Sequence, residues 1–138
     1  MRSQESEFRI QKLPEGMSKS FQDLVVWQRS HELVLAVYRL TGTFPREELF
    51  GLTSQLRRAA VSVPANIAEA FRKDSRRDKA RVFNIAQCSA EETRYFLLLA
   101  RDLGLAETTK LQEDLDEITR MLAAYVRRIR ANEGPPMS

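Results

Sequence analysis

The sequence predicts an all-α fold, an up-down-up-down four-helix bundle, on three observations. The 138 residues include only five glycines and five prolines, and 43% are hydrophobic. Few helix-breaking residues favour long helices over a fold rich in turns. Four predicted helical stretches are joined by short loops, and hydrophobic residues recur at spacings of three and four in the second and fourth of them. The length corresponds to one domain.

The chain divides into three parts by composition. Residues 1–19 mix both charge signs, lack periodicity and contain a proline and a glycine, so we predict a flexible leader. Residues 20–131 carry the four predicted helical stretches and form the predicted bundle. Residues 132–138 contain a Gly-Pro-Pro sequence, which predicts a disordered tail.

The first two helices are predicted from their N-terminal signals. Ser20, with Asp23 three residues later, is typical of a capping box and indicates a helix over 21–41. Pro45 suits the first turn of a second helix, because its missing N–H has no partner to lose there. This helix is predicted over 45–71.

The third and fourth helices have clear ends. Ser75, with an acid three residues later, repeats the cap pattern, and Gly104 suits the left-handed position after the third helix. Thr108 or Thr109 is predicted to cap the fourth helix, which continues to about residue 130.

A proline inside the second helix predicts a kink. Pro64 removes the hydrogen bond to the carbonyl of Ala60. Ser62, Asn66 and Glu69 flank it and allow two interpretations: a polar functional site at the kink, or local partners for backbone groups and for the third helix. The second interpretation is favoured, since no histidine or lysine accompanies them.

The residue inventory predicts that the protein is not an enzyme and uses no metal and no cofactor. There is one histidine, His31, and one cysteine, Cys88. His31 is interpreted as a core or interface residue and Cys88 as a small packed residue rather than as catalytic groups, and one histidine cannot supply a di-iron site. No apolar run approaches the roughly 18 residues that span a bilayer. We therefore expect a cytoplasmic protein without a membrane partner.

The first helix is hydrophobic on two sides. At about 100° per residue, Leu24 and Val34 lie on one side and a second group lies nearly opposite. A four-helix monomer buries one stripe per helix, so the second group predicts contact with another copy. The alternative is a helix placed centrally in an irregular bundle. The predicted oligomer interface consists of Val26, Leu33, Val37 and Leu40.

Basic residues concentrate in two segments that the predicted topology brings together. Residues 72–81 contain six basic and two acidic residues, and residues 127–130 contain three arginines. In this topology both segments lie at one end of the bundle, which we call the basic pole. The candidate nucleic-acid-binding residues are Arg72, Lys73, Arg76, Arg77, Lys79, Arg81, Arg127 and Arg128.

The opposite end of the predicted bundle is acidic, since residues 101–117 contain six acidic and two basic residues. Bases at a helix C-terminus also complement the helix dipole, which is the alternative explanation for residues 127–130. It does not explain residues 76–81, which begin a helix, where cations are unfavourable. The charge therefore indicates contact with a nucleic-acid backbone rather than with base sequence, because few aromatic residues accompany it.

Three sequence segments carry a resemblance to a known family. FQDLVVW at 21–27, Phe44-Pro45 and QLRRAAVSVPANIAE at 55–69 resemble the proteins encoded within intervening sequences of bacterial 23S ribosomal RNA genes. The resemblance covers about residues 20–130. Ala70 and Cys88 depart from the family pattern, which commonly has glycine and a Gly-Ser pair there.

The resemblance implies a four-helix protomer, a pentameric ring and no known enzymatic activity. The chain is also distantly similar to the accessory variability determinant of diversity-generating retroelements, a ring that binds a reverse transcriptase and its RNA. We expect a homo-oligomer that binds RNA or DNA through the basic pole. The alternative is a protein–protein adaptor, such as an accessory subunit of a retroelement reverse transcriptase.

Overall fold

The computed structural model describes residues 19–131, and within this range the chain is all-helical, without strands. The leader predicted over 1–19, apart from Lys19, and the tail predicted over 132–138 lie outside the described residues. The four α-helices are α1 Val25–Thr41, α2 Ser54–Arg72, α3 Arg76–Asp102 and α4 Thr109–Ala131. The prediction of four helices is confirmed.

The predicted capping box forms, but it caps a short turn instead of α1. The N–H of Gln22 donates to Ser20 Oγ at 3.1 Å, and the N–H of Ser20 donates to Asp23 Oδ2 at 3.3 Å. This closes the 3₁₀ turn Phe21–Asp23. Leu24 is then extended and buried, so α1 begins four residues later than predicted.

The second helix also begins later than predicted. A 3₁₀ turn, Arg46–Glu48, and a π-helical turn, Leu49–Thr53, precede α2. The backbone of Gly51 is not helical, with φ −105° and ψ −111°, and the N–H of Leu52 donates to the Glu48 carboxylate at 3.3 Å. A hydrophobic pattern does not distinguish these tight turns from an α-helix.

The predicted ends of α3 are confirmed. The N–H of Asp78 donates to Ser75 Oγ at 3.0 Å, as an N-cap requires. Gly104 has φ +75°, and the N–H of Leu105 donates to the Ala100 carbonyl at 2.9 Å. This is the left-handed helix end that glycine favours.

Thr108 lies at the predicted N-cap position of α4, because the N–H of Gln112 donates to its carbonyl at 2.9 Å, but its hydroxyl does not cap the backbone of the first turn. The buried hydroxyl of Thr108 donates to the Leu97 carbonyl at 3.1 Å and accepts from Gln112 Nε2 at 2.7 Å. The N–H of Thr109 donates to the Glu107 carboxylate at 2.7 Å. Thr108 therefore links the start of α4 to α3, and Glu107 supplies the cap.

The predicted oligomer interface lies in the core of the protomer. Val26 and Val37 are fully buried, Leu33 is 2% exposed, and Leu40 is half-buried against the core. Leu24, from the opposite side, is buried as well. Val26, Leu33 and Val37 are therefore core residues and not a subunit interface, because α1 packs against both α2 and α4.

The helices pack in a closed order, with α2 also packed on α3 and α3 on α4. Large side chains that are fully buried include Leu56 and Ile67 of α2, Leu97 of α3 and Leu115 of α4. No helix within residues 19–131 is long and apolar enough to cross a membrane.

Candidate nucleic-acid interface

The start of α3 and the end of α4 form one surface. A depression of about 740 Å³ lies between them. It is lined by three arginines, one acid and two uncharged residues: Arg77, Arg81, Arg130, Asp78, Ala80 and Asn84. Residues about fifty positions apart in the sequence therefore present like charges to one concave surface.

Most arginines of the basic pole have free guanidinium groups. Five are exposed and make no hydrogen bond or ion pair within residues 19–131: Arg72, Arg76, Arg77, Arg127 and Arg130. An exposed, unpaired guanidinium can bind a phosphate in a bidentate fashion without first breaking an internal contact.

Two further basic residues are weakly engaged. Lys73 Nζ lies 3.8 Å from Glu69 Oε1, and Arg81 Nε lies 3.8 Å from Asp78 Oδ1. The two residues of each pair are four and three positions apart, and their side chains are 35–60% exposed. Such pairs contribute less than about 1 kcal/mol, so a polyanion can displace the carboxylates.

The structure assigns Lys79 a structural role instead of the predicted phosphate contact. Its Nζ donates to the carbonyls of Phe71 at 2.8 Å and Ala70 at 3.2 Å, and it lies 5.7 Å from the centroid of the Phe71 ring. Burial lowers the pKa of Lys79, with Asp74 opposing the shift. Lys79 thus caps the C-terminus of α2 and fixes its junction with α3.

The basic pole has an aromatic support that was not predicted from the sequence. The Tyr125 ring stacks on Phe83 at 5.6 Å, and the Arg128 guanidinium lies 5.3 Å from the Tyr125 centroid. Burial raises the pKa of Tyr125 to about 12. The signal was the Tyr-x-x-Arg spacing, since residues three apart on a helix are neighbours.

The acidic residues on the first half of α4 are mostly engaged in ion pairs. Asp116 pairs with Arg94 of α3, and Glu117 pairs with Arg29 of α1. Asp114 accepts from Lys110 Nζ at 2.5 Å. These carboxylates tie α4 to its neighbours, whereas the basic pole has an excess of unpaired charge.

The polar residues around Pro64 bond to each other and to α3. Asn66 Nδ2 donates to the Ser62 carbonyl at 2.8 Å and to Ser62 Oγ at 2.9 Å, and the Ser62 and Ser89 hydroxyls lie 2.7 Å apart. Glu69 pairs with Lys73. This arrangement agrees with the interpretation of local backbone and interhelical partners.

Neither His31 nor Cys88 is buried in the protomer, so the expectation of a packed Cys88 was wrong and His31 is not a core residue. His31 is exposed and stacks on Trp27, with centroids 5.0 Å apart, and Cys88 is an exposed free thiol. Residues 19–131 contain no group of three or more His, Cys, Asp or Glu side chains that could hold a metal ion.

A second surface feature was also missed, an apolar groove between α1 and α2. It has a volume of about 620 Å³ and is lined by Tyr38, Leu49, Phe50, Thr53, Ser54, Arg57, Arg58, Val61 and Ser62. The groove exists because the π-helical turn presents Phe50 to solvent, where a continuous helix was predicted. We call it the α1–α2 groove.

Comparisons with known proteins identify relatives of the chain. The family described as 23S rRNA-intervening sequence protein matches residues 22–124. A solved structure, described as a protein of unknown function from the S23 ribosomal protein family of Bacteroides thetaiotaomicron VPI-5482, is 29% identical. Its TM-score is 0.69, and the match covers 75% of this chain and 96% of that one. No curated protein matches. Because the family match extends over well more than half of the sequence, the chain belongs to the 23S rRNA-intervening sequence protein family.

Proposed function

We propose that this protein is a non-enzymatic, homo-oligomeric, cytoplasmic protein that binds nucleic acid, RNA in the first place, through its basic pole. The observation that carries the proposal is the depression in which Arg77 and Arg81 of α3 meet Arg130 of α4 with only Asp78 as an acidic neighbour. Three guanidinium groups from two helices form a concave positive surface that suits a phosphate backbone.

The expected mode of binding is contact with phosphates, not with bases. None of the residues that line the depression is aromatic, so it has no platform on which unpaired bases could stack. Arginines recognise phosphates by charge and bidentate hydrogen bonds, which carry no base sequence information. The affinity should depend on the shape of the nucleic-acid helix and on the salt concentration more than on the base sequence. The family description, which refers to 23S rRNA, favours RNA over DNA.

The proposal includes the up-down-up-down topology and the kink at Pro64. Short connections and the closed packing order of the four helices support this topology, and a proline inside α2 supports a kink. A ring of copies in parallel orientation would repeat the basic pole around one rim. That repetition would let one RNA contact several copies.

A salt titration of binding tests the proposal. The wild type and the variant Arg76→Glu/Arg77→Glu are titrated with one RNA hairpin and one DNA duplex at several salt concentrations. Each lost phosphate contact should reduce the slope of log K against log salt by about 0.9 on duplex DNA and about 0.7 on a single strand. We expect the variant to bind both probes more weakly, with a flatter slope.

A matched control separates local contacts from total charge. Arg46→Glu/Arg120→Glu makes the same charge change at two exposed arginines outside the basic pole. It should retain most of the wild-type affinity and slope. No binding of the wild type at low salt would reject the proposal and favour the adaptor, in which the charged pole contacts a protein such as a reverse transcriptase.

A further inference from the structure

The exposed hydrophobic residues form two separate groups. Within residues 19–131, seven large hydrophobic side chains are exposed. Four belong to the α1–α2 groove, namely Tyr38, Leu49, Phe50 and Val61. The other three, Ile85, Tyr95 and Leu103, lie on α3 or directly after it. Phe50 is 92% exposed and Tyr95 is 58% exposed, so the most exposed aromatic ring of each group is open to solvent over more than half of its surface.

The α1–α2 groove carries positive charge. Arg57 Nε donates to Thr41 Oγ1 at 2.7 Å, and its guanidinium lies 4.5 Å from the centroid of the Tyr38 ring. Arg58 is exposed and makes no hydrogen bond or ion pair within the described part of the chain. No acidic side chain lines the groove. The surface therefore combines apolar side chains with two arginines and has no acidic side chain.

The outer face of α3 has the complementary character. Ile85, Cys88, Glu92 and Tyr95 are exposed and follow one another at spacings of three and four, so they share one side of the helix. Glu92 makes no hydrogen bond or ion pair among residues 19–131. We call this side the α3 face. It combines two exposed hydrophobic residues with an unpaired carboxylate.

We propose that the α1–α2 groove of one copy binds the α3 face of a second copy. Apolar side chains of both surfaces leave water, and the unpaired Arg58 of the groove meets a surface that carries the unpaired Glu92. This inference deepens the homo-oligomeric part of the proposed function by naming the contact surfaces. Because the two surfaces differ, the contact is head-to-tail, and it closes into a ring when the rotation between copies allows it.

Two variants and their mixture test the proposal. Phe50→Asp alters only the groove, and Tyr95→Asp alters only the α3 face. Both side chains are largely exposed, so far-UV circular dichroism should remain that of the wild type. Sedimentation should give a multiple of 15.9 kDa for the wild type and 15.9 kDa for each variant alone. An equimolar mixture should form dimers, because the Tyr95→Asp copy keeps an intact groove and the Phe50→Asp copy keeps an intact α3 face.

Three results would overturn the proposal. A monomeric wild type at micromolar concentration would exclude a contact between copies, and a Phe50→Asp variant with the wild-type mass would exclude the groove. A mixture that stays monomeric would exclude the pairing of groove with α3 face, since groove-to-groove contact is not restored by mixing. Arg120→Asp, an equivalent change on the exposed part of α4, is the control and should keep the wild-type mass.

These experiments distinguish a failure of the proposed RNA binding from a failure of the proposed contact between copies. Phe50 and Tyr95 lie outside the basic pole, so a monomeric variant should still bind an RNA hairpin, with lower affinity because fewer copies contact it. An assembled protein that binds no RNA would reject nucleic-acid binding and leave the assembly intact. A wild-type protein that is monomeric but binds RNA would reject the assembly and leave nucleic-acid binding intact.

Discussion

Tyr125 of α4 stacks on Phe83 of α3, with ring centroids 5.6 Å apart and planes at 18°. This contact joins the two helices that contribute arginines to the depression at the basic pole. The Tyr125 hydroxyl is buried without a partner among the described residues. The ring, not the hydroxyl, therefore provides the favourable interaction.

Replacing Tyr125 with phenylalanine should leave stability unchanged or raise it, because the unpartnered hydroxyl is removed and the stack is kept. Tyr125→Ala should lower the free energy of unfolding by about 2 kcal/mol through the loss of packing. Urea unfolding of the three proteins measures both effects. A large loss in Tyr125→Phe would show that the hydroxyl has a partner after all.

The raised pKa of Tyr125 predicts a stability change at high pH. The phenol should ionise near pH 10 in the unfolded chain and at about 12 in the folded protein. The unfolded state loses the proton first, so stability should fall as the pH rises from about 10 to 12. Urea unfolding at pH 8 and pH 11 measures the fall. It should be smaller in Tyr125→Phe, and an equal fall in both proteins would contradict the assignment.

Lys79 should matter for stability more than its basic neighbours do. Lys79→Met removes two hydrogen bonds to carbonyls at the end of α2 and should cost about 1–2 kcal/mol of unfolding free energy. Arg76→Met, on the adjacent exposed position of α3, should change stability by less than about 0.5 kcal/mol. Thermal unfolding distinguishes the two. Equal effects would mean that the α2 cap is energetically unimportant.

Gly104 should not tolerate a side chain, even though space for one exists. A Cβ there would have no neighbour within 4 Å, but its φ of +75° is unfavourable for alanine. Gly104→Ala should therefore destabilise the protein by about 1 kcal/mol. Gly42, with φ −62° and ψ −19°, is the control, since alanine adopts this conformation readily. Gly42→Ala as harmful as Gly104→Ala would refute the conformational explanation.

Replacing single basic residues of the basic pole with glutamine should distinguish residues that bind RNA from residues that stabilise the fold. Arg77→Gln should weaken RNA binding at all sequences alike and reduce the salt slope by about one contact, with little effect on folding. Lys79→Gln should lower stability and leave the salt slope nearly unchanged, because its amine is occupied by carbonyls. Fluorescence anisotropy against salt, with a parallel unfolding curve, measures both. A Lys79→Gln variant with unchanged stability and a flatter salt slope would show that Lys79 contacts phosphate after all.

The sequence predicts the helices well where a local signal decides their ends. Ser75 and Gly104 bracket α3 as expected, because an N-cap side chain and a left-handed glycine act within a few residues. The region before α2 was predicted less well. Whether Leu49 and Phe50 continue a helix depends on Gly51 and on the Glu48 side chain, which hydrophobic spacing does not record.

The sequence predicts which basic residues form the candidate site but not which of their side chains are engaged inside the protomer. The clusters at 72–81 and 127–130 are visible in the sequence, and the structure brings Arg77 and Arg130 to one depression. The engagement of Lys79 by carbonyls of α2 depends on the tertiary angle between α2 and α3, so no sequence signal revealed it. The burial of Val37 likewise depends on how many helices contact α1, which periodicity alone does not give.

Charge is distributed asymmetrically along helix α4. The carboxylates on its first half are mostly paired with cations, whereas its last turn carries Arg130, which is unpaired among the described residues, so uncompensated positive charge lies at one end of a rod of about 33 Å. A field of this kind exerts a torque on the protein before any contact forms. A diffusing polyanion therefore meets arginines first, and encounters in other orientations are rotated toward the productive one.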